Sequence, residues 1–264
     1  MNHSTFDLLY DVMPPLMTTG ARNFFRDAFR VIEFEGYVDS VSELLDNTGR
    51  TVGGLIFSAD EPLLAHEIEA FKRLGREGHN AVDRWHGFET LYAQGVFSRL
   101  IDSFLTYVTD LLASIYRNNP HALRSGEQVR VDEVLRHDTM DSFVDFLVER
   151  KVHQLSYQGM QTLHSTLERE LAFSLFEVPA ELKHAVLLIE KRNLLTHARG
   201  VVNRLFLQRQ PTAEYKLGER LNFDRTQITD VLIFLTTSVA RIDVSAVQKF
   251  QIDQSALQKR PERS

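Results

Sequence analysis

The chain has 264 residues, 43% of them hydrophobic and 25% charged, a balance that supports one large or two small domains with a real core and excludes a mainly disordered protein. It contains no cysteine, which removes disulfides and thiolate zinc sites and points to a reducing cytoplasm rather than a secreted, disulfide-stapled fold. The formal net charge of −6 argues against a general nucleic-acid coat, because such proteins set many cations against phosphates.

The segment from Met1 to Pro15 has no basic stretch followed by a long apolar run, and about 18 consecutive apolar residues occur nowhere, so neither an ordinary export signal nor a membrane span is expected. Residues 1–87 read as a region apart whose role the sequence does not specify. Within it, Ala28–Val38 is rich in β-branched and aromatic residues, and Thr51–Phe57 follows the turn signal Asp46-Asn47-Thr48-Gly49. That pattern suits a short strand pair, although a helix would also accommodate Phe24, Phe25 and Phe29. Pro62 is expected to open a helix over Leu63–Leu74, with Leu64, Ile68 and Phe71 on one face and Gly75-Arg76-Glu77-Gly78 ending it. Trp85-His86 could stack a nucleobase, but a lone tryptophan more commonly anchors a packing interface.

Residues 88–250 read as a helical domain. Phe97, Leu100, Ile101, Phe104, Leu105, Val108, Leu111, Leu112 and Ile115 keep an i, i+3, i+4 rhythm up to Asn118-Asn119-Pro120, which predicts a long helix. Met140, Phe143, Val144 and Leu147 mark a shorter one. Met160, Leu163, Leu167 and Leu171 mark another, ended before Pro179, which suits the first turn of a helix expected to continue to about Gln208. Asp224 and Gln227 have the spacing of a capping pair ahead of a last helix with Val231, Leu232, Leu235, Val239 and Ile242 on its apolar face. Residues 251–264 lose this rhythm and read as a loose polar tail.

The most informative stretch is Glu190-Lys191-Arg192-Asn193-Leu194-Leu195-Thr196-His197-Ala198-Arg199-Gly200-Val201-Val202. If one helix runs through it, Leu188, Leu195, Ala198, Val202 and Leu205 share a face, while Glu190, Asn193, His197, Gly200 and Arg204 gather on the other. Lys191, Arg192, Arg199, Arg204 and Arg209 face the single acid Glu190 over this span, a basic strip suited to a small anionic site or to an ordinary solvated helix face.

The string Arg192-Asn193-x-x-x-His197, with its Gly200-Val201-Val202-Asn203 continuation, resembles the Arg-polar-x-x-x-His signature of the HEPN superfamily, over about residues 90–250. The resemblance implies a mainly α, up-and-down helical bundle and a metal-independent endoribonuclease without cofactor, a stress or phage-defence effector that dimerises through the Arg192–Arg204 helix. It implies Arg192, Asn193 and His197 as the catalytic set, with Lys191, Arg199 and Arg204 as further RNA or phosphate contacts, RNA as substrate, and a regulatory or antitoxin partner that the sequence does not identify. Histidine is ordinarily the side chain that titrates near neutrality, and an arginine guanidinium matches phosphate oxygens in pairs. A separation of five residues turns Arg192 about 140° from His197 on a straight helix. Helix distortion, the reach of Arg192 or a second chain must therefore complete such a site. Two other readings stay open: a non-catalytic nucleotide- or RNA-binding module, and a dimerisation domain whose polar stripe is an interface.

Other chemistry is poorly served. His66-Glu67 lacks the second histidine of a zinc-protease helix, Asp46–Gly49 lacks the acidic series of a calcium loop, and no phosphate-binding P-loop or nucleophile elbow occurs.

Overall fold

The computed structural model describes residues 3–58, 64–123 and 129–256. The chain is mainly helical, with α1 (His3–Val12), α2 (Thr19–Ser58), α3 (Ala65–Asn118), α4 (Val131–Val134), α5 (Met140–Ser156), α6 (Met160–Leu171), α7 (Pro179–Ala198), α8 (Arg204–Arg209) and α9 (Arg225–Phe250), and a 3-10 turn at Pro120–Leu123. At 1.5 Å per residue, α2 is about 60 Å long and α3 about 80 Å.

The C-terminal half of α3 is the spine. Phe97, Leu100, Ile101, Phe104, Tyr107, Val108, Leu111, Leu112, Ile115 and Tyr116 are all buried, because α2, α5, α7 and α9 pack on different sides of this one helix. Its end falls where Asn118-Asn119-Pro120 predicts: Asn119 caps α3, its amide bonding the Ile115 carbonyl, and Pro120 starts the 3-10 turn.

The expected strand pair is not formed. Ala28–Val38 and Thr51–Phe57 both lie in α2, and among the described residues there are no strands, only isolated bridges at Met17–Ser255 and Val201–Arg220. The reason is visible in the burial pattern: Phe24, Ala28, Val31, Ile32 and Glu35 are buried at helical spacing, and packing along α3 outweighs the β preference of valine, isoleucine and phenylalanine. The helix expected at Leu63–Leu74 also does not stop at Gly75–Gly78. It continues as α3 through those glycines and through residue 87, and α3 packs against α2. Pro62 lies outside the described residues.

Residues 251–256 are not the loose tail that their polarity suggests. Ile252 is buried, and Met17 and Ser255 exchange both backbone hydrogen bonds, at 3.2 and 2.9 Å. Next to Met17, Thr18 donates from its amide at 2.9 Å and its hydroxyl at 2.6 Å to the wholly buried Asp243 of α9. These contacts tie the start of α2 to the end of α9.

A second buried carboxyl lies farther along α2. Glu35 is only 5% exposed, and burial pushes its pKa up to about 7 against the opposing charge of Arg225. The folded state thus binds this proton more tightly than the unfolded chain, so the contribution of Glu35 to stability is full below about pH 4.5 and is lost as pH rises through about 7. Replacing Glu35 by Gln removes that pH dependence. Denaturant melts at pH 5 and pH 8 should show a smaller difference for Glu35→Gln than for wild type, with a gain at pH 8 of up to about 3 kcal/mol. An unchanged difference would place the titration elsewhere.

Candidate functional site

Pro179 occupies the first turn of α7, as its fixed φ and missing N–H allow. Leu182, Ala185, Leu188 and Leu194 turn inward from this helix. The helix ends earlier than expected. Arg199 (φ 53°) and Gly200 (φ 73°) both adopt left-handed backbone, and the Gly200 amide bonds back to the Leu194 carbonyl at 2.9 Å. This is a C-terminal cap in which glycine meets no Cβ penalty. Residues 200–202 then pair with 218–221 through Val202 N–H to Glu219 O (2.8 Å), Gly218 N–H to Val202 O (2.9 Å) and Leu221 N–H to Gly200 O (2.8 Å). Asn203 next caps α8, its side-chain oxygen accepting from the Phe206 amide at 2.9 Å.

The break corrects the expectation of one helix to Gln208 and redistributes the basic strip. Gly200 is buried at the turn rather than on a helix face open to another backbone. A Cβ there would sit 3.1 Å from the Leu195 side chain. Lys191 lies over the ring of Tyr215, 5.3 Å from its centre. Arg199 is exposed at the cap, its carbonyl accepting from Arg220, and Arg204 starts α8 facing solvent. Leu205, expected on the apolar face, is 51% exposed.

Arg192, Asn193 and His197 do come together. They line one open cleft of about 790 Å3 with Val186, Ile189 and Glu190 of α7, Leu105, Val108 and Thr109 of α3, the α5–α6 connection from Leu155 to Thr162 with Leu163, and Arg209 and Gln210. A second chain is not needed to bring the three side chains to one cavity. The Arg192 guanidinium meets Asp102 of α3 at 2.6 Å and contacts the Asn193 side-chain oxygen at 3.4 Å. His197 is exposed in the last turn of α7. A second guanidinium, Arg209, is held to Glu190 at 3.2 and 3.4 Å.

Chemically, the cleft offers an accessible imidazole, an amide, two guanidinium groups each steadied by a carboxylate, and an apolar floor. Such a set can hold a phosphate and move a proton beside it. Asp102 carries no sequence signal for this role, since it meets Arg192 only because α3 and α7 pack side by side. Trp85 lies away from the cleft, edge-on to Tyr92 with ring centres 5.4 Å apart. Among the described residues, no group of three or more histidine or acidic side chains is placed to hold a metal ion, and no helix is long and apolar enough to cross a membrane. No protein-family model, curated protein or solved structure matches this chain.

The cap geometry separates two glycine substitutions. Gly200→Ala puts a Cβ on a left-handed residue and against Leu195, and should cost about 1–2 kcal/mol. Gly36, inside α2 with open space where its Cβ would be, should accept alanine with a gain of about 0.5–1 kcal/mol. Denaturant melts of the two variants should therefore move in opposite directions.

Proposed function

We propose that this cleft is a HEPN-type, metal-independent endoribonuclease site. The observation that carries the reading is the convergence of Arg192, Asn193 and His197, the three positions of the resemblance, on one solvent-open cavity. In the proposed reaction the RNA 2′-oxygen forms a bond to the adjacent phosphorus, the bond from phosphorus to the 5′-oxygen breaks, and a cyclic phosphate and a 5′-hydroxyl are left. His197 accepts the 2′-hydroxyl proton, and a proton reaches the departing 5′-oxygen from the imidazolium or from water. Arg192 balances the charge that builds on the phosphoryl oxygens, where a fixed guanidinium is worth most. Asn193 orients the phosphate or the imidazole. Lys191, Arg199 and Arg204 have no place in the cleft, and Arg209 takes their part as the second cation.

A homodimer through this region, RNA as the physiological substrate, a cytoplasmic stress or defence role and a restraining partner belong to the same proposal. A second reading is a cleft that binds a nucleotide or an RNA end without cutting it. It is favoured by the two ion pairs: Asp102 and Glu190 already neutralise Arg192 and Arg209, so an incoming phosphate must share those guanidinium groups.

The test is cleavage of a mixed RNA pool by purified protein in excess chelator. Activity should persist, with products ending in cyclic phosphate. His197→Ala should lower the rate by about 10²–10⁴-fold, the usual worth of a proton-transfer group, while its exposed position keeps the stability change within about 0.5 kcal/mol. Binding without cleavage would select the second reading. Activity lost in chelator and restored by a divalent metal would rule out the mechanism.

A further inference from the structure

The α5–α6 connection forms a second wall of the cleft, and it has a chemistry of its own. Tyr157 follows the last residue of α5 and is 80% exposed, more than any other large hydrophobic side chain among the described residues. Its ring contact is with His153, one turn back, at 4.7 Å between centres. Tyr157 and Gln158 border two hollows at once: the cleft holding Arg192 and His197, and a shallower one of about 600 Å3 that also takes in Arg150, His153 and Gln154. Gln158 and Gln161 both line the cleft, and their side-chain amides make no hydrogen bond within the described protein. Gly159 (φ 79°) follows, with open space where a Cβ would sit. Leu105, Val108 and Ile189 supply apolar surface beneath.

An exposed aromatic ring, free amides that both donate and accept, apolar surface and the Arg192 side chain lining the same cavity match the parts of one nucleotide. A base presents a flat π-face to an aromatic ring and a hydrogen-bonding edge to amides. In a duplex those faces and edges are taken up by stacking and pairing, so only an unpaired base can use such a wall.

Resting on the RNA-site reading above, we propose that the α5–α6 turn is a nucleobase-binding lip that makes single-stranded RNA the substrate of this cleft. An unpaired base stacks on Tyr157, Gln158 and Gln161 reach its edge, and the adjoining phosphate lies toward Arg192 and His197. Tyr157 is a specificity-determining residue that takes no part in moving the proton.

The experiment measures binding and cleavage separately. Binding is followed by fluorescence anisotropy with a short 2′-O-methyl RNA of mixed sequence, single-stranded or annealed to its complement; the blocked 2′-oxygen prevents cutting. Cleavage kinetics use the unmodified strand. Wild type should bind the single strand more tightly than the duplex. Tyr157→Ala should weaken single-strand binding and raise KM by about tenfold each, within the range of one lost base stack, with kcat little changed; Tyr157→Phe should restore what Tyr157→Ala loses. Tyr37→Ala, which removes an exposed ring on α2, should change neither. If wild type cleaves RNA but Tyr157→Ala leaves binding and KM unaltered, the lip is overturned and the cleavage reading stands. If wild type binds the single strand in a Tyr157-dependent way yet cuts nothing, the lip stands and the cleavage reading fails. Equal affinity for single strand and duplex, or no binding at all, overturns the lip.

Discussion

The long apolar stripe of α3 is the constraint on which the rest of the structure depends. A helix that buries Phe97, Phe104, Tyr107, Leu111 and Tyr116 around its circumference must be covered on several sides, and α2, α5, α7 and α9 are the cover. The cleft follows from this arrangement. It lies where α3, α7 and the α5–α6 connection meet, and its floor is partly the outer edge of the same stripe, Leu105 and Val108. Asp102, on the solvent-facing side of that spine, reaches Arg192 because the spine holds α7 alongside it.

The cap at Arg199 and Gly200 sets the electrostatics of the site. Had α7 continued, Arg204 would have extended the polar face beyond His197. The left-handed turn instead sends residues 200–202 to pair with 218–221 and points α8 elsewhere. What remains in the cleft is a pair of guanidinium–carboxylate contacts. Each contact costs some attraction for an anion, but each also fixes a long side chain whose free rotation would otherwise have to be frozen on binding.

Two buried carboxyl groups mark where the fold gives up stability. Asp243 accepts two hydrogen bonds from Thr18, yet burial still raises its pKa above the ordinary aspartate value. Glu35 has an oxygen with no hydrogen-bond partner. Burying an apolar residue at either place would be less costly. The Asp243 contact, with the Met17–Ser255 bridge, fixes the register of α2 against α9. For Glu35, the neighbouring Arg225–Asp39 pair, at 2.5 Å, links the start of α9 to the same face of α2.

Periodicity determined the helices whose apolar faces repeat without interruption, α5, α6 and α9, and local end signals determined the end of α3 at Asn118 and the Asp224–Gln227 cap. Local chemistry also marked Pro179 and the Arg192, Asn193 and His197 set. The sequence could not decide between strand and helix for Ala28–Val38, because valine, isoleucine and phenylalanine favour strands locally and only the stripe of α3 rewards their helical spacing. Nor did it place the end of α7, although Gly200 was there to be read; the extended pairing of residues 200–202 needs residues 218–221, which lie nearly twenty positions away. The partners of the cleft, Asp102 for Arg192 and the Tyr157 turn facing the same cavity, were set by tertiary structure alone, because contacts between residues so far apart exist only once the helices have packed.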